Sequence, residues 1–395
     1  MREQTAHQVR WVENVIFGCK KLRRNFFPRV KNIDIIHRLF IVICTNQEGE
    51  LNKPRIKTME ELSLAIGVSR PTLSRFFQDP SLIKAKTVAK IEKGLEQVEY
   101  VPNFFATRLN RKSTQMIGVI IPYLNDLFFT QLLEAVEVAA MDAGMTVITQ
   151  CSHSDPAIEA RAAETFMSMN VDGAIVAPLG DHSDQAVYQR LKSRMPFVLM
   201  DSRPKTMPDV DYVGTNHGQS TGLITEYLSR VGGPPVFLAM PRVNFNAVER
   251  ETGYITKMNE LGLEPEVIGA EFVNKDWHFE DHGEAVLAAE FARGRFTDRS
   301  ILCANDRVAI GALRAAARHG LTPGQSKKGG LRIAGHDDYL LCPYLNPPLT
   351  TVAQDTASIG RKAVARMLQL IRGEVIDETP EITLFDGNLV VRESA

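Results

Sequence analysis

Residues 58–77 read TMEELSLAIGVSRPTLSRFF, and their spacing decides how the first part of the chain is understood. Apolar residues at Met59, Leu62, Ala65 and Ile66, then at Val68, Leu73, Phe76 and Phe77, fit two short amphipathic helices. Gly67 falls where the chain must turn, since a left-handed backbone costs glycine little. Ser69 follows where a side-chain oxygen can accept from the free N–H groups of the next helix. This is helix-turn-helix spacing, in which the second helix enters the major groove of DNA by its amino-terminal end. That placement aims Arg70, Pro71, Thr72, Ser74 and Arg75 at bases and phosphates, with Arg70 and Arg75 as the best base readers. Taken alone, the same pattern also fits a helical hairpin in an ordinary core with its arginines on a solvated face.

Moving outward, a third helix is expected from about Lys84 to Val98. Tyr100-Val101-Pro102-Asn103 then stops it, because Pro102 cannot continue a helix and Asn103 can cap a new one over FFATRLNR. Charge sets this region apart. Residues 1–52 carry 9 basic and 5 acidic side chains, residues 53–112 carry 12 and 6, and residues 113–395 carry 25 and 36. A basic first third joined to an acidic body suggests a polyanion-binding head on a trunk that binds neutral ligands or protein.

From Met116 the pattern changes to short β-rich runs alternating with helices: MIGVIIP, MTVITQ, VDGAIVAP and PFVLMD, then PPVFLAM, EVIGAEFV, SILCAND and LRIAGHDD. Units of this kind build parallel sheets covered by helices. About 280 residues exceed what one core usually holds, so two doubly wound lobes with a cleft between them are expected, with ligands at the carboxyl ends of the strands. No GxGxxG or GxxxxGK[ST] follows any strand, which leaves dinucleotide and P-loop readings without support.

The head resembles the lactose-repressor (LacI/GalR) family of bacterial transcription regulators through Gly67-Val68-Ser69, Thr72-Leu73-Ser74-Arg75 and Tyr100-x-Pro102-Asn103. The trunk is similar to that family's periplasmic-binding-protein-like effector domain through IGVIIP, NDLFF, NVDGAIVAP, VLMDSRP, ANDRVAIGALRA, IAGHDD, PPLTTVAQD and NLVVRES. The resemblance covers roughly residues 54–395. It implies a small all-α helix-turn-helix head at 54–102, a hinge helix and linker at 103–113, and an α/β effector-binding and dimerisation domain at 114–395.

By the same resemblance, Ser69, Arg70, Pro71, Thr72, Ser74, Arg75 and Asn103 face DNA, and Leu109 of the hinge wedges into the minor groove at the operator centre. Carried over by position, the pocket lining is Phe128, Phe129, Asp201, Arg250, Phe272, Asn305 and Asp337. NDLFF departs from the commoner NPFF and puts Asp126 at the cleft edge as an added contact. Carboxylates and amides bind vicinal hydroxyls and aromatic rings cover C–H faces, so a sugar or sugar derivative is the simplest effector. Other departures are Pro71 at a position that varies with operator sequence, Thr107-Arg108 before the hinge leucine, Lys84 in place of a Ser cap, and Glu99 in place of a Gly. The implied protein is a homodimeric repressor on a pseudo-palindromic operator, without cofactor.

Other classes find less support. His278-x-x-x-His282 has zinc spacing but no third ligand nearby, so no metal is expected. Neither GxSxG nor a Cys-His arrangement suggests catalysis. A solute-binding protein of a transport system would share the trunk but needs a secretion signal and has no use for the head. No run is apolar and long enough to span a membrane, and the five scattered Cys fit a reducing compartment, so a cytoplasmic protein is expected. Trp277 is a stacking candidate or a loop tryptophan. Residues 1–53 form an extension without counterpart in the family. Gln47-Glu48-Gly49 can be encoded by a purine-rich ribosome-binding run, so the native start is expected at Leu51; a basic arm that contacts phosphates is the alternative.

Overall fold

The computed structural model describes residues 53–103, 113–180, 183–270, 277–324, 330–374 and 379–395. Two compact units divide the chain, residues 1–111 and 112–395.

In the first unit, β1 (Arg55–Ile56) leads into α1 (Met59–Ile66), α2 (Arg70–Gln78) and α3 (Ala85–Leu95), and β2 (Glu99–Tyr100) closes back on β1 as a parallel pair. Thr58 starts α1 with a capping box: its hydroxyl accepts from Glu61 N at 3.1 Å, and the Glu61 carboxylate accepts from Lys57 N at 2.9 Å. Gly67 ends α1 at φ 65°, the left-handed turn its position requires. Leu62, Ile66, Val68, Leu73 and Ile91 form the core, with Phe76, Phe77 and Tyr100 packed around it. The pairing of β1 with β2 is an addition to the helices expected from sequence.

The second unit is two lobes of parallel sheet. The first lobe's six strands run in the order β13-β7-β6-β5-β3-β4, with β3 (Met116–Ile121), β4 (Thr146–Cys151), β5 (Gly173–Val176), β6 (Phe197–Met200), β7 (Tyr212–Thr215) and β13 (Ile382–Phe385). Its helices are α4 (Leu127–Asp142), α5 (Pro156–Met169), α6 (Gln185–Arg194) and α11 (Thr356–Ile371). The second lobe has four strands in the order β11-β10-β8-β9, namely β8 (Val236–Leu238), β9 (Glu266–Ile268), β10 (Ser300–Cys303) and β11 (Arg332–Ala334). Here α7 (His217–Gly232) packs on α8 (Phe245–Glu260), and α9 (Phe279–Ala292) on α10 (Asp306–Arg318).

Three passages join the lobes. The chain crosses after β7, returns between β12 (Thr351–Ala353) and α11, and crosses again from β13 to β14 (Asn388–Val390), which pairs antiparallel with β12. Strands β7 and β13 were not among the runs singled out in the sequence, and β12 and β14 lie in PPLTTVAQD and NLVVRES, which were quoted for the resemblance but not read as strands. The apolar runs β3, β5 and β6 are buried along their whole length, as strands covered on both faces must be.

Candidate functional site

On the head, the amino-terminal turn of α2 is the exposed one. Arg70, Pro71 and Arg75 are exposed, Thr72 and Ser74 half-buried, and Leu73 buried as the anchor. Among the described residues, no carboxylate lies within ion-pair distance of the Arg70 or Arg75 side chain. Ser69 stands at the cap position, but its hydroxyl pairs with the Thr72 hydroxyl at 2.8 Å and takes no N–H of the helix, contrary to the capping expected of it. The two hydroxyls satisfy each other at the helix start, and the Ser69 carbonyl takes the Thr72 and Leu73 N–H groups at 2.9 and 3.0 Å. Lys84 begins α3 without a side-chain cap, as its chemistry dictates. Asn103 is exposed at the end of the described head. Leu109 and the hinge segment lie outside the described residues, as do residues 1–52.

In the trunk, the carboxyl ends of strands from both lobes converge. Asp201 follows β6, Thr215 ends β7, Asn305 follows β10, Asp337 follows β11 and Gln354 follows β12. Asp201 (φ 69°) and Asp337 (φ 129°) both hold positive φ. A backbone of that kind costs about 1 to 3 kcal/mol in a non-glycine residue and persists only where its surroundings fix it. These surroundings do. Arg250, from α8, donates to Asp337 Oδ1 at 2.9 Å, to the Ala304 carbonyl at 2.8 Å and to His217 Nδ1 at 3.4 Å. Asp337 Oδ1 also accepts from Gln354 Nε2 at 2.7 Å and meets His336 Nδ1 at 3.2 Å, while Gln354 takes the Thr215 hydroxyl through its oxygen. Asn246 Nδ2 reaches Asp201 Oδ1 at 3.0 Å, joining the second lobe to the first.

Burial dominates the electrostatics. It pushes the Asp201 carboxyl up to about 7, with Arg250 pulling it down and Asp337 and Asp126 pushing it further up. Burial and the Arg250 charge hold both His217 and His336 well below the usual histidine range, so both imidazoles are neutral. A neutral His217 that accepts at Nδ1 carries its proton on Nε2.

Phe128 and Phe129 are buried at the start of α4, and Phe129 meets Trp277 with ring centroids 5.7 Å apart. Trp277 is buried against Tyr123, Phe129 and Phe279, so it belongs to an aromatic wall and not to a surface loop. Asn305 spends its oxygen on capping α10, where it accepts from Val308 N at 2.8 Å. Phe272 lies outside the described residues. The structure thus gathers Asp201, Arg250 and Asp337 into one network, with Asn305 beside it through Ala304. Asp126 lies with Arg307 and Tyr339. His282 is turned to the Ala239 carbonyl at 2.9 Å and His278 stays exposed at the helix cap, so the pair does not converge.

Sequence reasoning had nominated neither Asn246, Gln354, Arg307 nor Tyr339. The last three sit in or beside the stretches PPLTTVAQD, ANDRVAIGALRA and IAGHDD, one to three residues from a nominated site or a strand end, which was the available signal. Grooves of about 760 Å³ between α7 and α8 and about 650 Å³ between α4 and α11 lie apart from this network.

Residues 58–103 match the family described as bacterial regulatory proteins, lacI family, and residues 233–395 match a periplasmic binding protein-like domain. The chain is similar to the HTH-type transcriptional regulator MalR of Streptomyces coelicolor, at 26% identity over 343 residues, 85% of this chain and 96% of the relative. It shares 26% identity over 321 residues with the lactose operon repressor of Escherichia coli, covering 81% and 86% of the two chains. Among solved structures, a lac repressor dimer bound to operator and the anti-inducer ONPF matches with a TM-score of 0.74 at 27% identity, over 87% of this chain and 99% of that one.

Proposed function

The chain belongs to the lacI family of bacterial regulatory proteins, and from that membership we infer what its two units do. It is a sequence-specific, DNA-binding transcriptional regulator controlled by a small molecule. The observation that carries the DNA half is α2, which exposes two arginines unpaired by any described carboxylate, Arg70 in its first turn and Arg75 in its last, on a basic unit. Ser69, Arg70, Pro71, Thr72, Ser74, Arg75, Asn103 and the hinge Leu109 form our proposed DNA-binding set. Relatives of this chain are named as repressors, and we adopt repression as the sign of its action. A transport protein with the same trunk would leave the head unexplained.

We propose that the protein works as a homodimer in the cytoplasm, so that two heads read the halves of a pseudo-palindromic operator. Its relatives are regulators and not enzymes, and we assign it no catalytic role. The proposed effector set is Asp126, Phe128, Phe129, Asp201, Arg250, Phe272, Asn305 and Asp337, joined by Asn246, Gln354 and Trp277.

An uncharged polyhydroxy ligand, a sugar or sugar derivative, suits this set best. The carboxylates and amides accept from hydroxyls, and the aromatic wall covers a sugar's C–H face. Both guanidiniums of the cluster already hold carboxylates, Arg250 with Asp337 and Arg307 with Asp126, so an acid or phosphate would have to displace one. A thermal-shift series on the full chain tests this with neutral sugars and polyols against sugar acids and sugar phosphates. Saturable stabilisation should come from a neutral member, since a ligand bound only to the native state adds RT ln(1 + [L]/Kd). Stabilisation by sugar phosphates alone would overturn the neutral-ligand reading.

A further inference from the structure

Asp126 caps α4 in the first lobe, where its Oδ1 accepts from Phe128 N at 3.1 Å. Its carboxylate is nevertheless almost wholly enclosed, because two more donors reach it from the second lobe. Arg307 Nη1 lies 3.1 Å from Oδ2, and the Tyr339 hydroxyl bonds Oδ1. Both donors are held in place by their own lobe. Glu280 takes Arg307 Nε at 2.7 Å and Nη2 at 2.8 Å, the Trp277 carbonyl accepts from Nη2 at 2.8 Å, and the Phe279 ring centroid lies 4.9 Å from the guanidinium carbon. Tyr339 N donates to Asp306 Oδ2 at 2.8 Å, which fixes the backbone from which the phenol projects.

We propose that Asp126, Arg307 and Tyr339 form a latch that holds the two lobes together at this edge of the cleft without an effector. This rests on the reading of the trunk as an effector-responsive domain and adds how its resting state is set. The costs of opening fall unevenly. Arg307 keeps Glu280 when the lobes part, and Asp126 keeps its cap bond and regains water, so only the contacts between lobes are lost. Burial pushes the Asp126 carboxyl up while Tyr339 and Arg307 pull it down, so desolvation opposes what the two donors favour. Such a balance keeps the closed state within reach of a ligand's differential affinity.

The test is hydrogen–deuterium exchange of the full, ligand-free chain as Asp126→Asn, Arg307→Met and the double variant. Asparagine caps a helix as well as aspartate does, so Asp126→Asn removes the charge and keeps α4 capped; thermal unfolding confirms that each variant is folded. Each single variant should speed exchange about tenfold in both residues 123–130 and residues 336–342, one segment from each lobe, a change on the scale of coupling between contacting side chains. The double variant should go no further than the larger single one. Faster exchange confined to the mutated lobe, effects that multiply in the double variant, or no change at all would overturn the latch. None of these results bears on DNA binding, so the latch can fail while the regulator reading stands.

Discussion

Asp201 combines a positive φ, near-complete burial and a carboxyl pushed up to about 7 from an ordinary 3.8. Between those values the folded chain holds a proton that the unfolded chain has released, so this residue lowers stability as pH rises from about 4 to about 7. Asp201→Asn removes that dependence. Urea unfolding across pH should show the variant gaining on the parent with rising pH, by at most about 1.4 kcal/mol per unit, and levelling off above 7. Comparison with the parent matters because Asp306 is raised as well, by burial and by Asp337. Arg250 is the opposite kind of residue, a buried charge that others depend on. Arg250→Met should cost about 3 to 5 kcal/mol in the same assay, because it leaves the Asp337 carboxylate enclosed without its cation. Asp201 and Asp337 stood inside the motifs VLMDSRP and IAGHDD, while Arg250 was reached only by its position in the family resemblance. Asn246 was not legible in the sequence, since an amide in a helix carries no pattern until the fold shows which carboxylate it faces, and Gln354 stood inside PPLTTVAQD without a role until the fold set it against Asp337.

At the scale of elements, backbone approach decides how α9 and α10 meet. A methyl group on Gly311 would stand 1.9 Å from the Glu280 carbonyl, and one on Gly283 would stand 2.2 Å from the Val308 carbonyl. The two helices therefore touch backbone to backbone, and this contact places Glu280 against Arg307. Gly311→Ala should lower stability by at least the 1 to 3 kcal/mol typical of overpacking, read as a fall in thermal midpoint. Helix existence was well marked in the sequence: α1, α2 and α3 follow from periodicity, with Gly67 as the break between the first two. The role of Ser69 was misjudged because residue type predicts a capping position better than a capping bond, and Thr72 offered a competing partner. Trp277 was ambiguous for a related reason, as a loop tryptophan declares itself buried only when the aromatic residues from α4 and α9 are seen around it.

For the whole molecule, net charge of −1 conceals the feature that matters, a head with 12 basic and 6 acidic residues joined to a trunk with 25 and 36. The head should carry the electrostatic attraction to DNA, with affinity falling steeply with salt, and the trunk should carry the signal. Head and trunk were legible because charge and periodicity both change near residue 113, and the two lobes because about 280 residues exceed what one core usually holds. The threefold passage between lobes was not, because β13 takes its partner from a distant part of the chain and β12 and β14 pair with each other across α11 and β13. Selection of binding sites from random duplex DNA by the full chain, repeated with Arg75→Ala at one fixed salt concentration, tests the central claim most directly. One consensus with two-fold symmetry should emerge, and Arg75→Ala should bind it about 1 to 3 kcal/mol more weakly than the parent. Recovery of no sequence above the starting library would contradict the claim that this chain is a sequence-specific regulator.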